Sequence, residues 1–337
     1  MPVSLADRLV VAVASSALFD LTDSDRVFRE EGEEAYRRYQ REHEDDTLGP
    51  GVAFPLVRRL LALNGAGEGD QLVEVVLLSR NDPDTGLRVF NSIERHGLAI
   101  TRAAFVKGRD PYRYMPAFNA SLFLSANADD VRRAVAEGLP AGQVFPTTFV
   151  DDAGEYELRI AFDFDGIIAD DASEAIFKSG GLTDFHAAER ERALEPMRAG
   201  PLQRFFAEVA GVQAKERARQ ESDPAYQPRL RIAIVTARNA PAHTRVITTL
   251  REWGIQVDEA FFLGGVEKAE ILRTFRPHIF FDDQLGHVQG TSQDTPSVHV
   301  PFGVANVVAE ARAAAPEQGP RADTYVLPAP PRPAGRS

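Results

Sequence analysis

Short apolar runs alternate with amphipathic stretches along most of the chain. In the second half the runs fall at 158–163, 230–235, 260–263 and 278–282, with a further one at 297–300, and they are rich in β-branched and aromatic residues. Their nearly continuous apolar character is that of strands covered on both faces. Helical spacing of apolar residues between them predicts helices at about 172–180, 201–218, 240–253 and 267–275, with counterparts at 25–42, 53–63, 83–96 and 129–137. Strands alternating with helices predict an α/β chain built on doubly wound parallel sheets.

The pattern occurs twice. The second half opens Leu158-Arg-Ile-Ala-Phe-Asp163-Phe-Asp165-Gly166, and 149 residues earlier the chain reads Leu9-Val-Val-Ala-Val-Ala14-Ser-Ser16-Ala17. At an offset of 157, Arg88-Val89 falls under Arg245-Val246, and Leu122-Phe123-Leu124-Ser125-Ala126 under Ile279-Phe280-Phe281-Asp282-Asp283. A period of about 150 residues is too long for a solenoid and suits a duplicated domain. One domain is expected over 1–150 and a second over 151–315, with the boundary in the polar stretch Phe145 to Glu157. The proline-rich residues 316–337 are expected to be a disordered tail.

Composition narrows the function classes. A length of 337 residues and 44% hydrophobic content suit two packed cores. The net charge of −12 argues against binding a nucleic-acid polymer, though a nucleotide monomer is compatible with it. The absence of cysteine removes disulfides, thiolate zinc sites and cysteine nucleophiles, and the seven histidines form no zinc-hydrolase pattern. Leu9 to Ala17 occupies the register of the 158–163 strand and is read as core rather than as a secretory leader. No run is long enough to span a bilayer, so a soluble, cytoplasmic protein is expected.

One connection is too long. Asp165 to Thr236 covers 71 positions, whereas a crossover between parallel strands needs about a dozen residues. The surplus is expected to form a helical cap at about 170–228, above the carboxyl ends of the strands where such sheets bind ligands.

Four groups fall at predicted strand ends: Asp163 with Asp165, Thr236 with Arg238, Lys268, and Asp282 with Asp283. Each suits phosphoryl transfer. Asp163 is placed to act as a carboxylate nucleophile, and Asp165, swung outward at Gly166, to act as acid and then base. An anionic substrate would be repelled by these carboxylates, which calls for a hard cation such as Mg²⁺. Asp163, Asp165, Asp282 and Asp283 are the candidate metal-site acids, with Asp163 and Asp282 as direct ligands. Thr236, Arg238 and Lys268 are the candidate substrate-phosphate binders.

Taken singly, each group has an ordinary alternative: an acidic pair in a solvated turn, a threonine capping a helix, a surface lysine. The first half weakens that account. It keeps the strands but is read as placing Ala14, Ser16, Leu78, Pro111 and Ser125-Ala126 where the second half carries these groups. Acids needed for folding would be needed in both copies. His278 and His287 are read as structural or solvated, and Lys107 and Arg109 as solvated loop residues or part of an effector site.

The order Asp-x-Asp, strand-Thr, Lys and strand-Asp-Asp resembles the four motifs of the haloacid dehalogenase superfamily. More narrowly, the chain is similar to the cytosolic 5′-nucleotidase I family in segments such as Gly51-Val-Ala-Phe-Pro55, Ala161-Phe-Asp-Phe-Asp165, Gly200-Pro-Leu202, Val235-Thr-Ala-Arg238 and Arg276-Pro-His-Ile-Phe-Phe-Asp-Asp-Gln284. The resemblance implies a Rossmannoid, haloacid dehalogenase-like fold in each half and a Mg²⁺-dependent phosphatase. It implies Asp163 as nucleophile, Asp165 as acid/base, Thr236 and Lys268 as phosphate binders, and Asp282 and Asp283 at the metal. The implied substrate is a nucleoside 5′-monophosphate, with AMP favoured. Two alternatives stay open: a phosphatase of another small phosphomonoester, and a nucleotide-binding regulator without turnover. A homo-oligomer is compatible with the sequence.

Overall fold

The computed structural model describes residues 4–65, 71–304 and 306, and the expected tail at 316–337 lies outside them. The first half runs β1 (Leu9–Val13), α1 (Ser15–Leu18), α2 (Thr22–Glu31), α3 (Glu33–Glu42), α4 (Phe54–Ala62), β2 (Val73–Ser79), α5 (Leu87–Arg95), β3 (Arg102–Phe105), β4 (Leu122–Ser125), α6 (Ala128–Ala136) and β5 (Ala141–Val144). The second runs β6 (Leu158–Phe162), α7 (Ala172–Glu191), α8 (Gln203–Ser222), β7 (Leu230–Thr236), α9 (His243–Glu252), β8 (Glu259–Phe262), α10 (Lys268–Phe275), β9 (Ile279–Asp282), α11 (Leu285–Thr291) and β10 (Ser297–His299). Strands β1 and β6 are buried along their whole length, as their unbroken apolar runs require.

Two separate sheets were expected, and one is found. Its order is β3-β2-β1-β4-β5-β10-β9-β6-β7-β8. Every neighbouring pair is parallel except β5 with β10, where Val144 pairs with Val298 and Gln143 with His299. Pairing these two short strands satisfies backbone groups that separate sheets would leave as open edges. The expected boundary is consumed in the join: the Phe145 amide donates to the Ser297 carbonyl at 3.0 Å and the Thr148 amide to that of Gln293 at 2.9 Å.

The antiparallel seam has a directional consequence. All first-half strands run opposite to all second-half strands, so the two sets of carboxyl ends lie at opposite edges of the sheet. Ala14, Ser16 and Ser125 are therefore remote from Asp163, Asp165 and Asp282.

The halves nonetheless repeat one another's backbone bonds at the offsets read from the sequence. The Ala14 amide donates to Leu124 and that of Asp163 to Phe281, both at 2.8 Å. Val106 donates to Ser79 at 3.1 Å and Leu263 to Thr236 at 3.0 Å. The helix expected over 25–42 is broken at Gly32, whose φ of 85° sits in the left-handed region, and α7 is kinked at the matching Gly181, with φ 74°.

The expected cap at 170–228 divides. The kinked α7 buries only Ser173, Phe185 and Glu189, and the loop after it is bonded to α9 through Thr248, Thr249 and Arg245, whereas α8 lies on the sheet. Phe205, Phe206 and Val209 of α8 are buried in the same core as Leu56 and Leu60 of α4 and as strands of both halves. Helix α8 packs against β1 and α4 against β6, so each half covers strands of the other. The full chain should accordingly unfold in one thermal transition. Residues 151–315 expressed alone should bind a hydrophobic dye until 1–150 is supplied; two independent transitions would show that the halves fold separately.

Candidate active site

The strand ends of β6, β7 and β9 carry the acidic site, and an aromatic layer sits beneath it. Phe162, immediately before Asp163, stacks on Phe281, immediately before Asp282, with ring centres 5.1 Å apart, and Phe206 meets Phe162 edge-on at 5.1 Å. All three rings are fully buried, which fixes the backbone from which the acids project.

Lys268 joins two of those acids. It is the first residue of α10, almost fully buried, and its Nζ lies 2.6 Å from Asp163 Oδ2 and 2.7 Å from Asp282 Oδ2. The other Asp163 oxygen accepts from the Phe164 amide at 2.7 Å. Burial alone would lower the Lys268 pKa, but the two carboxylates outweigh it and hold the ammonium above its usual range. Burial pushes Asp163 up to about 7, with Lys268 opposing and Asp282 reinforcing the rise. Burial would also raise Asp282, but Lys268 and His287 hold it below the ordinary carboxylate value.

Asp283 is different. Both of its carboxylate oxygens are buried and have no hydrogen-bond partner. Burial pushes it up to about 9, with Asp163, Asp282 and Glu174 adding like charge. Gly166, at φ 73°, makes room for it: a Cβ there would stand 2.6 Å from the Asp283 Cγ and Oδ2. Asp163, Asp282 and His287 each offer a ligand atom within 4.8 Å of the others. Orphaned buried carboxylate oxygens beside such a cluster fit a bound cation, which would favour the ionised acids.

Asp165 is held apart from this cluster. Arg238 Nε and Nη2 donate to its Oδ2 and Oδ1, each at 2.6 Å. Arg238 thus faces a carboxylate and not the open phosphate position expected of it. Thr236, nearly fully buried at the end of β7, accepts from the Arg238 amide through Oγ1 at 3.3 Å.

The sheet register changes one pairing between the halves. Val13 pairs with Leu77 as Phe162 pairs with Ile234, so the counterpart of Thr236 is Ser79, and Leu78 corresponds to Val235. Ser79 Oγ accepts from the Asn81 amide at 3.2 Å, copying the threonine contact. The first half therefore keeps a hydroxyl there, and the asymmetry between the halves rests on the charged groups. Lys107 and Arg109 are exposed, after β3 and at the edge remote from Asp163.

His287, expected to be structural or solvated, has its Nδ1 3.2 Å from Asp282 Oδ2. His278 is buried at the far end of β9, where its Nδ1 accepts from the Arg159 amide at 3.0 Å. Burial, aided by Arg59 and Arg159, pushes it down to about 3. Glu189, on α7, was missed by the sequence reading. Comparing 170–198 with the first half at the offset of 149 places it over Gln40, and that change of charge was the available signal.

Fold and site together define an α/β protein with a buried acidic centre at the carboxyl edge of a mostly parallel sheet. The family described as 5'-nucleotidase matches residues 1–307, and the chain belongs to that family. It is 34% identical over 293 residues to cytosolic 5'-nucleotidase 1B from Homo sapiens, covering 85% of this chain and 48% of the relative. The chain thus spans about half the length of that curated relative. No solved structure matches it.

The electrostatics give a stability test. A carboxyl raised from 3.8 to about 9 on folding takes up a proton, so the metal-free protein should lose stability as pH rises through that interval. Asp283→Asn should raise the melting temperature of the chelator-treated protein at pH 8 and leave it nearly unchanged at pH 4. Equal shifts at both pH values would show that Asp283 is not the strained group.

Proposed function

We propose that the chain hydrolyses nucleoside 5′-monophosphates, AMP among them, to nucleoside and phosphate. The observation that carries this reading is the contact of Lys268 with Asp163 and Asp282 beside the unpartnered Asp283. A nucleophilic carboxylate with a fixed cation against it, and an acid awaiting a second cation, answers the needs of phosphoryl transfer. In this reading an Asp163 oxygen attacks phosphorus as the bond to the 5′ oxygen breaks, and Asp165 gives its proton to the departing oxygen. Asp165 then takes a proton from the water that attacks the aspartyl-phosphate, releasing phosphate and restoring Asp163. Lys268 offsets the charge on the phosphoryl oxygens, and the Thr236 hydroxyl and the amides beyond it hold them. Mg²⁺, held by Asp163, Asp282 and Asp283 with Asp165 close by in sequence, would supply the positive charge that lets a phosphate dianion approach these acids.

We assign the nucleoside to a cleft of about 690 Å³ lined by Arg132, Gln143 and Phe145 of the first half and Lys178, Gln284 and His299 of the second. It adjoins the acidic centre, since His299 Nε2 lies 3.0 Å from the Asp283 carbonyl oxygen. A flat ring beside amides is suited to stack on and read a base. The two halves are read as copies of one haloacid dehalogenase-like unit, the second catalytic and the first a scaffold that contributes a cleft wall. Their matched backbone bonds support that reading. No helix among the described residues is long and apolar enough to cross a membrane. We infer a cytoplasmic location from the name of the human relative.

Phosphate release from a panel of nucleotides and sugar phosphates, with Mg²⁺ and with chelator, tests the activity. Asp163→Asn should abolish turnover, and acid quench of the native enzyme should leave phosphate on the 158–170 peptide; label on a serine or histidine would reject the mechanism. Ser16→Ala and Ser125→Ala should leave kcat within about twofold, as groups at the opposite edge. Phe145→Ala should raise KM for AMP several-fold while sparing that for p-nitrophenyl phosphate.

A further inference from the structure

Glu189 has no part in the chemistry described so far, yet its side chain is fully buried and surrounded by donors. It accepts from Ser173 Oγ at 2.7 Å and from Arg245 Nη1 at 3.0 Å, and it pairs with Arg238 Nη1. The remaining Arg238 nitrogens grip Asp165, and Nη2 also lies 3.3 Å from Met197 Sδ. The Phe164 and Phe185 ring centres stand 5.7 and 5.5 Å from the guanidinium carbon. An unbroken chain of charge therefore runs from α7 through Arg238 to Asp165. Every nitrogen of Arg238 has a protein partner, so the guanidinium is engaged by side chains on both of its sides.

Burying three such charges is costly, and a protein can usually fold as well without them. The first half shows that this scaffold does. There, Arg88 Nη1 donates to Gln40 at 3.2 Å as Arg245 does to Glu189. Ser92 donates to the Arg88 carbonyl and Thr249 to that of Arg245, both at 2.8 Å. The Leu48 amide donates to Ser92 and the Met197 amide to Thr249, both at 3.0 Å. The helix kinks at Gly32 and Gly181 match as well. Against this shared frame three positions change together: Glu189 is Gln40, Arg238 is Asn81, and Asp165 is Ser16. The arginine that serves the frame is kept in both copies. The charges on the path to Asp165 are absent exclusively where the acid is absent.

We propose that Glu189 and Arg238 are positioning residues for Asp165, through which helix α7 sets the aim of the acid/base. Glu189 fixes the plane of the Arg238 guanidinium, and the guanidinium fixes the Asp165 carboxyl. The inference rests on the acid/base reading of Asp165 given above.

The nature of the leaving group tests it. Expulsion of p-nitrophenolate needs no proton, whereas a nucleoside 5′ oxygen needs one, and kcat/KM reports only the steps through that departure. In the full chain with Mg²⁺, Asp165→Asn should lower kcat/KM for AMP by about 10²-fold or more and for p-nitrophenyl phosphate far less. Glu189→Gln should show the same selectivity at smaller size, and adding it to Asp165→Asn should cost nothing further. The double variant Glu189→Gln/Arg238→Asn reproduces a combination that the first half already packs, and it should behave like Asp165→Asn. Equal losses on both substrates, or additive losses, would overturn the positioning role. Absence of selectivity in Asp165→Asn itself would instead overturn the acid/base reading.

Discussion

The antiparallel pairing of β5 with β10 is the constraint on which the rest of the molecule depends. It fuses two five-stranded parallel sets into one sheet and removes two strand edges. Because parallel strands must be covered on both faces, the fusion also lets α8 cover β1 and α4 cover β6, giving a core continuous across the halves. It also turns the first half end for end. The carboxyl edge that carries Asp163 is opposed to the edge that carries Ala14, so the first half's strand ends cannot reach the second half's acids.

At the armed edge the dominant problem is like charge. Asp163, Asp282 and Asp283 are buried close together, and a single buried ammonium, Lys268, serves two of them. Partnered Asp282 is held below the ordinary carboxylate range, while unpartnered Asp283 is pushed up to about 9. Asp163, which shares Lys268 with Asp282, is raised to about 7, so three acids against one ammonium leave the site short of positive charge, with the largest rise on the acid that has no partner. Asp165 escapes it by turning at Gly166 toward Arg238, which separates the carboxylate proposed for proton transfer from those proposed for a metal.

The backbone bonds that recur in both halves supply an internal comparison. Elements kept in both halves, such as the Gly32 and Gly181 kinks and the Arg88 and Arg245 anchors, serve the frame. Elements present in one half serve whatever that half alone does. Applied to the hydroxyls, the comparison is sobering: Ser79 matches Thr236 in place and in hydrogen bond, so a hydroxyl there is no mark of activity by itself.

The amino-acid sequence determined the strands, most helices, the repeat and the acids at the strand ends, because these depend on local periodicity and on residue type at a strand terminus. Strands β6 to β10 lie within a residue of the apolar runs that predict them. Three things were decided only by tertiary structure. The joining of the halves depends on a pairing between Val144 and Val298, which are far apart in the chain, and short edge strands carry little local signal. The assignment of α8 to the sheet depends on what Phe205 and Phe206 pack against, and an amphipathic helix does not name its partner. The partners of Arg238 were hidden for the same reason: a guanidinium can bind a phosphate or a carboxylate equally well, and only the fold brings Asp165 and Glu189 to opposite sides of it.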